Sequence, residues 1–313
     1  GWLDDLDAFR ERLLQAGLRD TLVRARARLD SAVAKRREVL GCDGPAPRPG
    51  CAVEVRFQYQ ALRARLPEQV FGHLVAGFEL ASTDPRVIGI NMVQPEDHVV
   101  AMRDFLLHMR MIDALRRHYP DVRLTLHAGE LRPGLVPPEQ LRYHIRASVE
   151  QGHASRIGHG TSIAYEDDAD GLLRRMAQQR ILVEVALGSN DAILGIRGRH
   201  HPLRLFLDYG VPVALVTDDE GVLRSDITME FQRAVEEHGL GYLQLKALAR
   251  NSLEHAFVEG ASLWRDARAF IRVPECARLD APSCDRFAET STRARLQREL
   301  ERNFARFEAR YGQ

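Results

Sequence analysis

Apolar residues recur along the chain with two different periods. Residues 4–40 carry apolar positions at helical spacing with a break near Gly17, which predicts a long N-terminal helical segment. From Cys51 onward, short β-branched runs alternate with stretches of helical periodicity. The clearest of these helices is predicted at 99–119, and a last amphipathic helix at about 290–311. This alternation is typical of an α/β fold in which helices cover a parallel sheet.

Polar residues gather where four of the predicted strands end. The six predicted strands cover residues 52–58, 87–92, 123–127, 156–158, 181–187 and 213–217. Four of them run into the segments LTLHAGE, RIGHG, VALGSN and VALVTDD, whose polar residues are His127, Glu130, His159, Ser189, Asn190, Asp218 and Asp219. A (β/α)8 barrel builds its active site at this end of its strands.

Each of these residues has an ordinary structural explanation when it is taken alone. A single histidine on a strand is more often a hydrogen-bonded core residue, and an aspartate after a strand often caps a helix. Together they offer more, because an imidazole and a carboxylate suit Zn²⁺ as ligands, a nearby glutamate can carry protons, and a second histidine can orient a water. The set therefore predicts a metal-assisted hydrolytic site.

The motifs HAGE, RIGHG and TDD, in this order, resemble those of the adenosine deaminase family, and the resemblance extends from Cys51 to about Asp226. The helical lead-in and the segment GINMVQPED look most like the secreted branch, the adenosine-deaminase-related growth factors and their bacterial relatives. The resemblance implies a (β/α)8 barrel of the metal-dependent hydrolase type. It also implies adenosine or 2′-deoxyadenosine as substrate, with inosine or 2′-deoxyinosine and ammonia as products.

The resemblance also implies a role for each matching residue. His127 and Asp218 would ligate Zn²⁺, which lowers the pKa of a bound water to about 7. Glu130 would protonate the purine ring nitrogen next to the reacting carbon, and His159 would position the attacking water and help to deprotonate it. Asp219 would hydrogen-bond the water or the base. The remaining substrate-binding candidates are Gln94, Ser189 and Asn190.

Two departures from the family pattern affect these expectations. The family's other zinc ligands form an H-x-H pair on its first strand, and no H-x-H occurs in the 313 residues. His200 and His201 are adjacent and precede Pro202, so they are interpreted as a loop.

At Gln94 many family members have a glycine whose backbone meets the purine. A larger side chain there would narrow the pocket or add a hydrogen bond, and a plain loop residue is an equally open interpretation.

The missing H-x-H pair predicts that two strands lie upstream of Gly1 and that residues 1–313 alone hold zinc poorly and are inactive. Three segments are then expected along the chain. They are a helical segment with a cysteine loop at 1–50, a catalytic barrel with strands 3 to 8 of the family at 51–265, and a C-terminal loop and helix at 266–313.

The charge of the chain indicates the class of its binding partner, and its cysteines indicate the cellular compartment. Lys+Arg and Asp+Glu are equal at 44 each, so a small substrate is expected rather than nucleic acid, and no apolar run approaches the roughly 20 residues of a membrane span. Cys42 with Cys51 and Cys276 with Cys284 form two close pairs in loop-like stretches, which suggests two local disulfides and a periplasmic or secreted protein. Four free thiols in a cytosolic enzyme remain the alternative.

Other function classes fit the sequence less well. A hydrolase with two metals bridged by a carboxylated lysine needs a lysine at a strand end, but the only lysines, Lys35 and Lys246, lie in predicted helices. The H-x-E and P-C-x-x-C motifs of cytidine-type deaminases are absent. A non-catalytic nucleoside-binding or signalling module on the same barrel stays open, because only two zinc ligands are identified.

Overall fold

The chain divides into two compact units. The computed structural model describes residues 2–312. The first unit comprises Gly1–His127 and Tyr143–Ala154, and the second comprises Ala128–Arg142 and Ser155–Gln313. The expected division into segments 1–50, 51–265 and 266–313 stays a prediction.

The first unit combines helices with a short parallel sheet. Its helices are α1 (Leu6–Leu13), α2 (Arg19–Leu40), α3 (Pro67–Thr83), α4 (Val99–Arg103), α5 (Phe105–Arg116) and α6 (His144–Glu150). Strands β1 (Phe57–Leu62) and β2 (Val87–Val93) pair in parallel, and β3 (Thr125–Ala128) follows them along the chain. Because Leu62 lies opposite Val93, β1 and β2 end at the same level.

The N-terminal helices follow the predicted pattern. Between α1 and α2 lies a π-helical turn, Leu14–Leu18, in which Gly17 has a φ of 93°, so the predicted break is confirmed. Leu22 of α2 is buried in a cluster that includes Leu80 of α3 and Val87 of β2. Gly77 of α3 lets this helix approach the sheet closely, since a Cβ atom there would lie 2.7 Å from the Tyr59 ring.

Two predicted elements of this unit are corrected. The strand expected at 52–58 begins only at Phe57, because Pro49–Ala52 form a 3-10 turn tied down by the Cys42–Cys51 bond and by the Arg36 side chain, which donates to backbone carbonyls of this loop. The helix expected at 99–119 is interrupted at Asp104, whose φ and ψ of −101° and 8° are not helical.

The second unit contains a second parallel sheet and the remaining helices. Its strands are β4 (Arg156–His159), β5 (Leu182–Val185), β6 (Val213–Leu215), β7 (Trp264–Asp266) and β8 (Ile271–Arg272). Its helices are α7 (Ala169–Gln179), α8 (Leu187–Leu194), α9 (Leu203–Asp208), α10 (Glu220–Leu223), α11 (Ile227–His238), α12 (Tyr242–Glu254), α13 (Pro282–Glu289) and α14 (Thr292–Tyr311). The helices of residues 2–312 are all too short or too polar to cross a membrane.

Within the second unit, the strands of the second sheet lie in the order β4-β5-β6, and β7 pairs with β8 in a separate hairpin. In β4, β5 and β6 the pairing is parallel, with Gly158 opposite Glu184 and Val185 opposite Leu215. The polar residues that follow these strands therefore share one edge of the sheet. The strand predicted at 181–187 ends at Val185, so Ser189 and Asn190 lie in α8 rather than after a strand.

Both predicted cysteine pairs are joined in the structure. The sulfur atoms of Cys42 and Cys51 are 2.09 Å apart, and those of Cys276 and Cys284 are 2.00 Å apart. Cys276 and Cys284 are fully buried against Leu263. Each bond closes a short loop, so it lowers the entropy of the unfolded chain.

Thiol titration tests this covalent framework. Under denaturing, non-reducing conditions we expect no reactive thiol, and four reactive thiols would contradict both bonds. Replacing Cys276 and Cys284 together by alanine is expected to lower the free energy of unfolding in urea by about 2.5 kcal/mol, the loop-closure value for this spacing. The double alanine variant of Cys42 and Cys51 is the matched comparison. Its loop has nearly the same length, so the two variants are expected to lose a similar free energy of unfolding.

Candidate active site

Three predicted site residues have a left-handed backbone. The φ angles are 83° at Gln94, 70° at His159 and 54° at Asp218. Residues with a Cβ atom adopt this region at a cost of about 1–2 kcal/mol each. Such strain persists only where surrounding structure enforces it, and it is common at functional sites. The sharp backbone turns at these strand ends are therefore consistent with a site at the sheet edge.

In the second unit, His159 lies between two carboxylates. Its Nε2 atom is 3.7 Å from Oε1 of Glu130 and 4.0 Å from Oδ2 of Asp218. The His159 side chain is only 4% exposed, whereas Glu130 and Asp218 are 13% and 21% exposed. The structure thus brings together three predicted residues from three different strand ends. Solvent reaches the carboxylates while the imidazole is fixed in the interior.

Backbone hydrogen bonds hold the segment that carries Glu130 against the segment that carries His159. The amide of Gly160 donates to the carbonyl of Ala128, and the amide of Ser162 donates to that of Gly129, each at 3.0 Å. The Thr161 hydroxyl also donates to the Gly129 carbonyl. Residues 128–130 and the GHGTS segment are therefore connected through their main chains.

Helix α8 supplies two further predicted residues. The Ser189 hydroxyl donates to Oδ2 of Asp218 at 2.6 Å, and the Asn190 amide nitrogen lies 2.9 Å from Nδ1 of His159. The other end of the Asn190 amide, Oδ1, lies 3.1 Å from Nε2 of His201. Ser189 and Asn190 thus contact the residues that surround His159, whereas their predicted contact with substrate stays a prediction.

A buried carboxylate holds the start of α8 in place. Glu230 of α11 is 1% exposed and accepts from the amides of Leu187 and Gly188 at 2.7 and 3.0 Å. Burial raises the pKa of Glu230, and the two amide donors oppose that effect. A negative charge at a helix N-terminus is favourable because unpaired amides point toward it. A Cβ atom at position 188 would lie 2.6 Å from Oε1 of Glu230, so a larger residue there would displace this carboxylate.

In the first unit, Asn91 and Arg63 orient His127. The Asn91 Oδ1 atom accepts from the backbone amide of His127 at 3.2 Å and lies 3.0 Å from its Nδ1. Because this oxygen is an acceptor, Nδ1 carries a proton, and a hydrogen bond of this kind at one ring nitrogen is typical of metal-ligating histidines. The buried guanidinium of Arg63 donates to the His127 carbonyl at 3.1 Å.

The two remaining predicted residues have less direct support. The Gln94 side-chain oxygen accepts from the amide of Ala64 at 2.8 Å, and its carbonyl accepts from Arg63 at 2.7 Å. Asp219 is exposed at the start of α10, where its carbonyl accepts from the amides of Val222 and Leu223. Their substrate-binding roles stay predictions.

Four residues of these networks were missed by the sequence-based interpretation. They are Arg63, Asn91, His201 and Glu230. Only His201 had a local signal, since it follows the SN segment and precedes Pro202, but it was interpreted as a loop residue. It is 3% exposed and hydrogen-bonded to Asn190, so it belongs to the surroundings of His159.

An α/β fold with histidine, glutamate and aspartate side chains at the strand ends is the arrangement of metal-dependent hydrolase barrels. The adenosine deaminase family matches residues 46–263, which is more than half of the chain. The protein therefore belongs to the adenosine deaminase family. Its expected place in the secreted branch of that family stays a prediction.

The curated relatives of this chain include adenine deaminases and adenosine deaminases. An adenine deaminase from Rhizobium leguminosarum bv. trifolii is 29% identical over 221 residues, which cover 70% of this chain and 62% of the relative. An adenosine deaminase from Klebsiella pneumoniae is 32% identical over 293 residues, covering 81% of this chain and 84% of the relative. The chain spans 58% of a further relative, an adenine deaminase from Sinorhizobium medicae.

Solved structures of low sequence identity share the fold. An adenine deaminase from Arthrobacter aurescens has a TM-score of 0.52 at 20% identity, covering 65% of this chain and 57% of that one. A zinc-containing amidohydrolase from Burkholderia ambifaria has a TM-score of 0.52 at 19% identity, covering 78% and 60%. The predicted fold class, α/β of the metal-dependent hydrolase barrel type, is confirmed.

The role of Glu230 is testable through stability. In Glu230→Gln the side-chain NH₂ group faces one of the two backbone amides, so a buried donor loses its acceptor. We expect the free energy of unfolding in urea to fall by about 1–3 kcal/mol. Glu236→Gln, on the exposed face of the same helix, removes the same charge and serves as the control. Equal stability of the two variants would show that Glu230 does not hold α8.

Proposed function

We propose that this chain carries the catalytic residues of a zinc-dependent hydrolase that deaminates adenosine or 2′-deoxyadenosine to inosine or 2′-deoxyinosine and ammonia. The observation that supports it best is the placement of His159 between Glu130 and Asp218, in a member of the adenosine deaminase family. A nucleoside-binding module has no need of a buried imidazole held between two partly exposed carboxylates.

The chain supplies two donors whose chemistry fits a zinc ion. Among residues 2–312, His127, His159 and Asp218 offer imidazole nitrogen and carboxylate oxygen atoms of the kind that hold a metal. We assign His127 and Asp218 as ligands, because Asn91 holds the His127 ring through Nδ1, as the partner of a metal-ligating histidine usually does. When bound, zinc supplies a Lewis acid that makes water a better nucleophile at neutral pH.

The remaining residues of the chain move protons and orient the reactants. Glu130 donates a proton to the purine ring nitrogen beside the amino-bearing carbon, which makes that carbon more electrophilic. Water adds to this carbon, the bond to the amino group breaks, and the amino group leaves as ammonia. His159 orients the attacking water, and Asp219 hydrogen-bonds the water or the base. Ser189 fixes the Asp218 carboxylate through its hydroxyl.

Adenosine is proposed over adenine on the strength of the matched lengths. The match to the Klebsiella adenosine deaminase covers 84% of that relative, whereas the match to the Rhizobium adenine deaminase covers 62%. The balanced charge of the chain also favours a small, weakly charged substrate over a polyanion.

A periplasmic or secreted location is proposed in addition, because both cysteine pairs are joined and such short disulfide loops persist mainly in oxidising compartments.

Ammonia release from the purified, zinc-supplemented whole protein, with any sequence that precedes Gly1, tests this proposal with adenosine, 2′-deoxyadenosine and adenine as substrates. Glu130→Gln is expected to lower kcat by a factor on the order of 10² to 10⁴ without loss of zinc, as for removal of a general acid. Glu150→Gln in α6 is the matched control and is expected to leave kcat unchanged. Nucleoside binding without ammonia release would contradict the enzyme, and activity on adenine alone would contradict the substrate.

Asn91 offers a separate test of the metal site. Asn91→Ala removes the acceptor that orients the His127 ring, and we expect the zinc dissociation constant to rise about 10- to 100-fold, the usual effect of removing a partner of a metal-ligating histidine. Competition with a chromophoric chelator measures this constant. Asn303→Ala on the exposed side of α14 is the control. Equal zinc affinity in both variants would show that His127 is not held for a metal.

A further inference from the structure

Leu203, His201 and Asn190 form a directed series of hydrogen bonds that ends at His159, inside the second unit. We infer that Asn190 and His201 are positioning residues that fix His159 as the tautomer with its proton on Nε2. The tautomer follows from the hydrogen bonds alone, whereas its consequence for catalysis rests on the proposed function.

The series begins at a backbone amide, whose role is fixed. The N–H group of Leu203 donates to Nδ1 of His201 at 3.1 Å, so Nδ1 of this ring carries no proton. His201 is 3% exposed, and burial, aided by nearby His238 and His159, lowers the pKa of His201 to about 3. The ring is therefore neutral near neutral pH, and its single proton is on Nε2.

The second step sets the orientation of the Asn190 amide. Nε2 of His201 is a donor, so the amide atom 3.1 Å away is the carbonyl oxygen Oδ1. The reverse orientation would place the amide NH₂ group against the N–H group of the ring. The NH₂ group of Asn190 consequently faces Nδ1 of His159, at 2.9 Å.

The third step assigns His159. Because Asn190 donates to Nδ1 of His159, this nitrogen carries a lone pair, so the ring proton is on Nε2. Asn190 is fully buried and His159 is 3% exposed, so solvent does not replace either partner. In a site with so little water, each hydrogen bond constrains the next one strongly. The backbone of Leu203 thus determines which nitrogen of His159 is protonated.

This tautomer changes the role expected for His159. Its Nε2–H group is directed to the side of the ring where the Glu130 and Asp218 carboxylates lie. A neutral imidazole protonated on Nε2 donates a hydrogen bond to the oxygen of the attacking water and does not accept that water's proton through Nε2. His159 therefore orients the water as a donor, and one of the carboxylates beside Nε2 takes the water's proton, the role that the family resemblance assigned to His159.

Asn190→Asp replaces the NH₂ donor that faces His159 by a carboxylate oxygen, which is an acceptor, with almost no change in side-chain volume. A carboxylate accepts from His201 Nε2–H and also requires a donor at His159, so the His159 proton is expected to move to Nδ1. Long-range ¹H–¹⁵N NMR of the histidine rings distinguishes the two tautomers, with the His159 signals assigned by their loss in His159→Gln. Asn303→Asp, which adds the same charge on the surface of α14, is expected to leave the His159 tautomer as it is in the unmodified protein.

Kinetics supplies the second readout. If the proposed function holds, Asn190→Asp is expected to lower kcat by a factor on the order of 10² to 10⁴ with KM changed only a few-fold, comparable in scale to the effect of the wrong histidine tautomer in a serine protease triad. A purely structural defect would instead lower the fraction of active protein without moving the proton. Unchanged tautomer and unchanged kcat in folded Asn190→Asp would overturn the inference.

If Asn190→Asp does not fold, two substitutions of His201 test the assignment of the His159 tautomer instead. A glutamine at this position can accept from Leu203 and donate to Asn190, so His201→Gln is expected to keep the His159 proton on Nε2. His201→Leu removes both hydrogen bonds, and we expect a mixture of the two His159 tautomers. The same tautomer distribution in both variants would overturn the inference, as would a proton on Nδ1 of His159 in the unmodified protein. An Nε2 proton in a protein without deaminase activity would support the inference and contradict the proposed function.

Discussion

The parallel pairing of β4, β5 and β6 is the constraint on which the second unit depends. Its register makes three strands end at the same level, so that residues far apart in sequence follow the strands at one edge. His159 and Asp218 have left-handed backbones directly after that edge, where the chain turns away from the sheet. A slip of one residue in any strand would turn its side chains to the opposite face.

Hydrogen bonds made by side chains of α8 and α11 fix the orientation of the polar groups at that edge. Asn190, His201 and Glu230 each have partners that fix their orientation. The last partners in two of these networks are backbone amides, which cannot change their role as donors. Glu230 accepts from the amides of Leu187 and Gly188, and His201 accepts from the amide of Leu203. The cost of burying so many polar groups is offset because nearly every one of them is satisfied.

The fold class and the central site residues were predictable because their signals are local. HAGE, RIGHG and TDD are contiguous motifs that end buried strands, and the structure places Glu130, His159 and Asp218 together as the strand ends require. The supporting residues were not predictable in this way. Glu230 acts on amides 42 and 43 positions away, and Asn91 contacts His127 across 36 positions, so no spacing in the sequence marks either one.

The left-handed backbone at His159 and Asp218 has a consequence for comparing genes of this family. Glycine adopts the same backbone without the steric cost that a side chain adds. In a gene copy released from catalysis, glycine at the partly exposed position 218 would remove this cost, whereas glycine at position 159 would also leave a cavity and deprive the buried Asn190 of its partner. The residue found at position 218 of duplicated genes thus offers a simple marker for separating pseudoenzymes from active members.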